Sequence, residues 1–181
     1  MLWLAIIAGS LLGLVAVLAA VGLALPRDHV AARRAVLDRP PEEVWRALTD
    51  VEAYPRWRRG VTALDRLSPG EFRERSSNGV IRYAIVAERP HELRITRIAD
   101  PALPFGGRWI YELLPDGAGT RLTITEDGFI TNPMFRVLSR TVFSTASTLE
   151  AFLTDLARHL GVAAVVEASP PSPRVGSPAE P

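Results

Sequence analysis

A chain of 181 residues, 48% apolar and 23% charged, is long enough for one ordinary core and too short for two full domains. Its formal net charge of +1 provides no global field for nucleic acid or a strongly acidic partner. All 21 basic residues are arginines and there is no cysteine, which removes Schiff-base lysines, thiol nucleophiles, disulfides and cysteine-held metals.

The stretch from Leu2 to Leu25 has no charged side chain and is interrupted only by Gly9, Ser10, Gly13 and Gly22, a length that spans a bilayer. The competing reading is a cleaved signal peptide, with Gly22-Leu23-Ala24 as a loose small-residue cleavage site. The run is longer than the usual apolar region of such peptides and has no positive segment before it, so residues 1–27 are expected to be an uncleaved transmembrane anchor. Trp3 suits an interfacial position, and Arg27, Arg33, Arg34 and Arg39 follow the span. The positive-inside rule then makes this a single-pass membrane protein with its domain in the cytoplasm.

Val30 to Leu37 reads as a strand. Pro40 and Pro41 followed by Glu42 and Glu43 open a helix, with the carboxylates at the favourable end of its dipole rather than forming a catalytic pair. Asp50 caps a second short helix over Val51 to Tyr54, which Pro55 is expected to truncate. Turn signals at Pro69-Gly70, Asn78-Gly79, Arg89-Pro90 and Pro115-Asp116-Gly117 then separate strands near 61–67, 71–76, 80–88, 92–99, 107–114 and 120–127. One parity carries Ile81, Tyr83, Ile85, Leu93, Ile95, Trp109, Tyr111, Leu113, Leu122 and Ile124. The other carries Arg82, Arg94, Thr96, Arg108, Glu112 and Arg121, so the sheet is antiparallel and apolar on one face.

A long helix over Pro133 to Leu160 is predicted to cover that face. Asn132 is its N-cap, Pro133 its first position and Gly161 its stop, and Leu138, Val142, Thr145, Leu149, Phe152, Leu156 and Leu160 recur on one side. Residues 28–162 thus form the domain. Residues 163–181, rich in proline and serine, form a tail expected to be disordered.

The order of strand, two helices, six strands and long C-terminal helix, opened by RAVLDRPPEEVWRALTDVEAYPRW and closed by ITEDGFITNPMFRVLSRTVFSTASTLEAFLTDLARHLG, resembles the START-like helix-grip superfamily. More narrowly, it resembles the SRPBCC group that includes polyketide cyclase/dehydrase-like proteins. The resemblance spans Val30 to Gly161 and implies an α+β fold: a curved antiparallel sheet of about seven strands around the C-terminal helix, with an elongated apolar cavity between them. It implies a hydrophobic small molecule or lipid as partner. It transfers no catalytic residue and implies no cofactor.

The candidate ligand-binding set is Trp57, Tyr83, Arg97, Phe105, Trp109, Tyr111, Glu126, Leu138, Val142 and Leu149. Glu126 and Arg97 share the apolar parity of their strands, which would let them orient a polar head group or do acid-base work. The preferred reading is a structural ion pair at the rim, or a bulge that turns either side chain to solvent. Asp100 to Gly107 is an apolar connection that reads equally as a lid or a rigid crossing. Arg56, Arg58 and Arg59 bracket Trp57, and a solvated charged turn is the preferred reading over a contact with anionic headgroups. His29, His91 and His159 lack metal-ligand spacing, so no metal site is expected. The leading function is non-catalytic binding of a hydrophobic molecule by a membrane-anchored domain. The alternatives are a cyclase or dehydratase using Glu126 or Tyr83, and a structural or interaction module.

Overall fold

A computed structural model describes residues 2–77, 79–141 and 145–172, apart from the side chains at 2, 4, 5, 8 and 141. The first apolar stretch is the helix α1 (Leu2–Ala24). Ile7, Leu11, Leu12, Val17 and Leu23 on it are exposed, whereas Gly22 at its C-terminal end is buried. The continuously described part of α1 begins only at Gly9, and among the described residues no helix is long and apolar enough to cross a membrane. The transmembrane expectation for residues 1–27 is therefore not met within the described residues.

β1 (Asp28–Leu37) leads into α2 (Pro41–Thr49), a 3₁₀ turn (Val51–Ala53) and α3 (Tyr54–Trp57). Pro55 does not truncate a helix as expected. It lies in the first turn of α3, where its missing N–H has no intrahelical partner to lose. Six strands follow: β2 (Val61–Ser68), β3 (Glu71–Ser76), β4 (Gly79–Arg89), β5 (Leu93–Ile98), β6 (Phe105–Asp116) and β7 (Gly119–Ile130). Each pairs antiparallel with the next, and β1 closes onto β7.

The sheet order is β2-β3-β4-β5-β6-β7-β1-β8, giving eight strands among the described residues rather than about seven. The eighth, β8 (Val166–Ala168), pairs with Arg33, Arg34 and Ala35 of β1. Ser172 beyond it donates its N–H to the Thr125 hydroxyl at 3.1 Å. The tail expected to be disordered from residue 163 thus has an ordered beginning, because β1 would otherwise leave an unpaired edge. Residues 173–181 lie outside the described residues.

The register sets the inner face. Tyr83 faces Ile98, Thr96 faces Trp109, Trp109 faces Glu126, and Tyr111 faces Ile124. The expected parity holds on β4, β6 and β7 but reverses on β5. A register shift between Ile85 and Ala87 inserts an extra residue, so Ala87 pairs with Ile95 on the opposite face from Ile85. Leu93, Ile95 and Ile110 then form a small separate cluster, and Arg94 and Thr96 point inward. Arg94, only 2% exposed, donates to the Leu48 carbonyl at 2.9 Å and pairs with Glu88 at 3.4 Å. Its charge thereby satisfies the carbonyl end of α2 and fixes that helix on the sheet.

The C-terminal helical region consists of α4 (Pro133–Thr141) and α5 (Thr145–His159), with residues 142–144 outside the described residues. Asn132 caps α4 as expected, its Oδ1 accepting from the N–H groups of Met134 at 2.9 Å and Phe135 at 3.3 Å. Gly161, with φ of 69°, takes the left-handed stop after α5, and the Val162 N–H returns to the Ala157 carbonyl at 3.0 Å. The two helices differ in what they cover. α5 buries Leu149, Phe152, Leu153 and Leu156 against Leu37, Leu113, Leu122, Ile124, Val44 and Tyr54. α4 instead packs beside α1, its Pro133 carbonyl so close to Gly22 that a Cβ there would collide with it.

Candidate ligand-binding chamber

Beneath α4 and the start of α5, the described residues leave the inner face of the sheet unfilled. A chamber of about 480 Å³ lies between Phe72, Ile81, Tyr83 and Ile98 on one side and Phe135, Leu138 and Thr145 on the other. That volume lies within the range of small-molecule sites, roughly 300–1,000 Å³. Trp109, Tyr111, Phe105 and Phe129 supply further walls, and the mouth lies where Phe129, Phe135 and Leu138 are 40%, 47% and 39% exposed. Gly107 shapes this end of the sheet: its φ is 140°, and a Cβ would lie 2.5 Å from the Gly128 Cα, so only glycine fits there; a Cβ at Gly128 would instead press on the His29 ring.

Among the polar side chains in the walls, two hydrogen-bonded clusters stand out. Deep in the chamber, Arg58 Nη1 donates to Glu74 Oε2 at 2.6 Å, and the guanidinium lies 5.0 Å from the ring centres of both Tyr54 and Phe152. Burial works against this cation. Glu74, followed by the Tyr54, Tyr111 and Tyr83 hydroxyls, more than restores it, so Arg58 is held above the ordinary arginine value. Nearer the β1 edge, Glu126 bridges two donors: Trp109 Nε1 donates to its Oε2 at 2.9 Å, and His29 Nε2 lies 3.2 Å from its Oε1. Burial pushes the Tyr83 phenol far up, with Glu74 adding to the shift, and it does the same to Tyr111, assisted by Tyr54. Both phenols are therefore protonated near neutral pH, with an O–H available to donate and no phenolate to act as a base.

Of the expected ligand-binding residues, Tyr83, Phe105, Trp109, Tyr111, Glu126 and Leu138 line the chamber. Three lie elsewhere. Trp57 is in the closed core, stacked on His159 with ring centres 5.4 Å apart. Leu149 is fully buried under α5. Arg97 is exposed, because the register shift that turns Thr96 and Ile98 inward turns it outward, and the expected Glu126–Arg97 pairing gives way to Glu126 with His29. Val142 lies outside the described residues.

The connection expected to be a lid or crossing ends before Phe105, since Phe105, Gly106 and Gly107 belong to β6. The arginine turn is not wholly solvated either: Arg58 enters the chamber, and Arg59 reaches Asp155 of α5 at 2.8 Å. Sequence reasoning missed His29, Arg58 and Glu74. His29 shares the parity of Ala31, Ala35 and Leu37, and Glu74 that of Phe72, so strand alternation carried a signal for both. For Arg58, in a turn, no periodicity applied. Among the described residues no group of three histidine or acidic side chains could hold a metal ion.

Comparison with known proteins agrees with this architecture. The family described as polyketide cyclase / dehydrase and lipid transport matches residues 28–161. Similar solved structures include a START superfamily protein from Mycobacterium smegmatis, 19% identical, covering 74% of this chain and 97% of its own, with a TM-score of 0.61. A conserved protein from Geobacillus kaustophilus is 15% identical over 76% of this chain and 99% of its own, with a TM-score of 0.64. The Zhui aromatase/cyclase of Streptomyces sp. R1128 is 13% identical over 74% and 94%, with a TM-score of 0.60. At such identities the likeness is one of fold. No curated protein matches the chain by sequence.

Proposed function

Because this chain belongs to the polyketide cyclase/dehydrase and lipid transport family across residues 28–161, we propose that its START-like domain takes up a hydrophobic small molecule or lipid and releases it chemically unchanged. The observation that carries this reading is the chamber of about 480 Å³, whose walls are mostly aromatic and aliphatic. Apolar walls supply affinity without direction, and a few fixed polar groups supply orientation. Arg58 and the protonated Tyr83 offer donors to a head group at the deep end, while Glu126 offers an acceptor near the β1 edge.

The same proposal includes α1 as a single-pass anchor with the domain in the cytoplasm. Supporting it are 23 helical residues without a charge, exposed large apolar side chains along α1, and Arg27, Arg33, Arg34 and Arg39 following it on the side of the domain. The test is to purify the full chain in detergent, extract it for mass spectrometry and titrate it with an apolar environment-sensitive fluorophore. Saturable binding is expected, and Ile98→Trp, which fills the chamber, should abolish it. Equal binding by both proteins would overturn the reading.

A second reading is cyclisation or dehydration of a polyketide-like substrate, favoured by the contact of Glu126 with His29 inside the chamber. One of these groups would take a proton from the carbon between two carbonyls. Tyr83 does not fit the role of base, since burial keeps its phenol protonated. Incubation with a poly-β-keto thioester, followed by mass spectrometry for loss of water, separates the two readings. Turnover that Glu126→Gln abolishes while fluorophore binding persists would favour the enzyme.

A further inference from the structure

The end of α1 is joined to the domain by a specific clasp. Pro26 has no N–H, so the Gly22 carbonyl has no main-chain donor four residues on, and the last turn of α1 ends with an unsatisfied acceptor. Arg136 of α4 supplies the donor. Its Nη1 reaches the Gly22 carbonyl at 3.1 Å and that of Leu25 at 3.3 Å. The same guanidinium reaches back into the domain, Nε to the Ile130 carbonyl at 2.9 Å and Nη2 to that of Thr131 at 2.8 Å. Arg136 is buried, and a cation at the carbonyl end of a helix also meets the favourable end of its dipole. Gly22 completes the joint, because any larger residue would collide with the Pro133 carbonyl. After Leu25 the chain enters β1 almost at once, and the Ile130 N–H already bonds the Arg27 carbonyl at 2.9 Å. Such a connection is a bracket and not a flexible tether.

The clasp also stands at the mouth of the chamber. Phe135 precedes Arg136, Phe129 precedes the Ile130 that Arg136 holds, and Leu138 follows on the same short helix. All three line the chamber and all three are exposed. Val21 and Leu23, on either side of Gly22 at the end of α1, are also exposed, and Gly22 itself lies against Pro133 of α4. Exposed apolar side chains at a chamber mouth and on the uncharged helix packed beside it fit a lipid surface.

Resting on the anchored ligand-binding reading above, we propose that Arg136 and Gly22 fix α1 so that the chamber opens directly onto the membrane surface in which α1 is seated. The ligand is then an amphiphile entering from that leaflet, apolar part first.

The absence of cysteine allows a direct test with the full chain in vesicles of phosphatidylcholine and a minor share of phosphatidylglycerol. Single-cysteine variants Phe135→Cys, Leu138→Cys and Leu114→Cys are labelled with an environment-sensitive fluorophore. Leu114 is exposed and lies at the opposite end of β6 from Phe105, about 30 Å away along the strand. Nitroxide-bearing lipids should quench the labels at 135 and 138 and leave that at 114 unchanged. In the Phe135→Cys background, Arg136→Gln and, separately, Gly22→Val should abolish quenching while the chain stays on the vesicles. Gly22→Val serves as the second variant because it leaves the bonds of Arg136 to Ile130 and Thr131 in place. Unquenched labels at the rim, equal quenching at 114, or quenching indifferent to both joint variants would overturn the proposal. Fluorophore binding is measured in detergent on unlabelled Arg136→Gln and Gly22→Val. Its absence there and in the parent chain sinks the ligand-binding reading, whereas binding by the parent chain together with unquenched labels at 135 and 138 in the chain with its joint intact sinks only this one.

Discussion

The space under the helices has a closed half and an open half built from the same kinds of residue. In the closed half, Leu149, Leu153 and Leu156 of α5 meet Leu37, Leu113, Leu122 and Ile124 with essentially no exposed surface. In the open half, Tyr83, Trp109 and Phe105 face a chamber. The difference lies in the covering helix: α5 rests on the sheet, while α4 has its buried arginine and its closest packing committed to α1. An apolar face becomes a core or a site according to what its partner helix is bonded to elsewhere.

Phe152 stands at the boundary, its ring 5.6 Å from those of both Trp57 and Trp109 and 5.8 Å from that of Tyr111. Phe152→Ala should have the largest effect, a loss of about 3–5 kcal/mol of stability by urea denaturation. In protein that still folds, it should admit bulkier probes by joining new volume to the chamber. If probe size tolerance does not change, the two halves are not separated by this ring. Next is Glu74→Gln, which strands the Arg58 cation in a buried setting and should cost about 3 kcal/mol. Replacing both partners, Arg58→Met with Glu74→Leu, should recover most of it. No recovery would mean that the pair does more than neutralise itself.

The closed half was more legible in sequence than the open half. The stop at Gly161 and the apolar stripe of α5 follow from local rules that the fold obeys, whereas in the open half the same rules reach only the N-cap of α4 at Asn132. What strand alternation could not reveal was the extra residue near Val86, which reversed β5 and moved Arg97 out of the site and Thr96 into it. Nor could helical periodicity distinguish α4 from α5, since Leu138 and Leu149 continue one stripe and only tertiary packing sends them to different surroundings. Arg58 was illegible because charge in a turn ordinarily means solvent, and only Glu74, brought alongside by the fold, makes burial tolerable.

A smaller effect concerns how α5 is tied to the closed end. The Asp155 carboxylate is buried and accepts from the Arg59 N–H at 2.9 Å, Arg59 Nε at 2.8 Å and Arg158 Nη1 at 2.7 Å. Burial alone would raise its pKa. The Arg59 N–H, then the Arg158 and Arg59 side chains, outweigh burial and hold it below the ordinary value of 3.8. A carboxylate depressed in the native state contributes stability that is present above 3.8 and lost as pH falls through the native value. Acid denaturation of Asp155→Asn should therefore show a shallower loss of stability below pH 3.8 than the parent. Identical acid limbs would mean that these bonds do not discriminate the ionised form.

The smallest change in stability should carry the clearest contrast. Leu138 and Leu149 lie on one predicted stripe and lose the same atoms on truncation to alanine. Leu149→Ala opens a cavity in a packed core and should cost about 2–5 kcal/mol. Leu138→Ala trims a side chain that is 39% exposed at the chamber mouth, so its cost should fall within about 0.5 kcal/mol. Ligand binding should follow the reverse order: weakened by Leu138→Ala through lost contact with the bound apolar group, and changed by Leu149→Ala only as far as the fold loosens. Urea melts and fluorophore titrations on the same two proteins give both quantities. Were Leu138→Ala to cost as much stability as Leu149→Ala, Leu138 would be core, and the open half would be closed in solution.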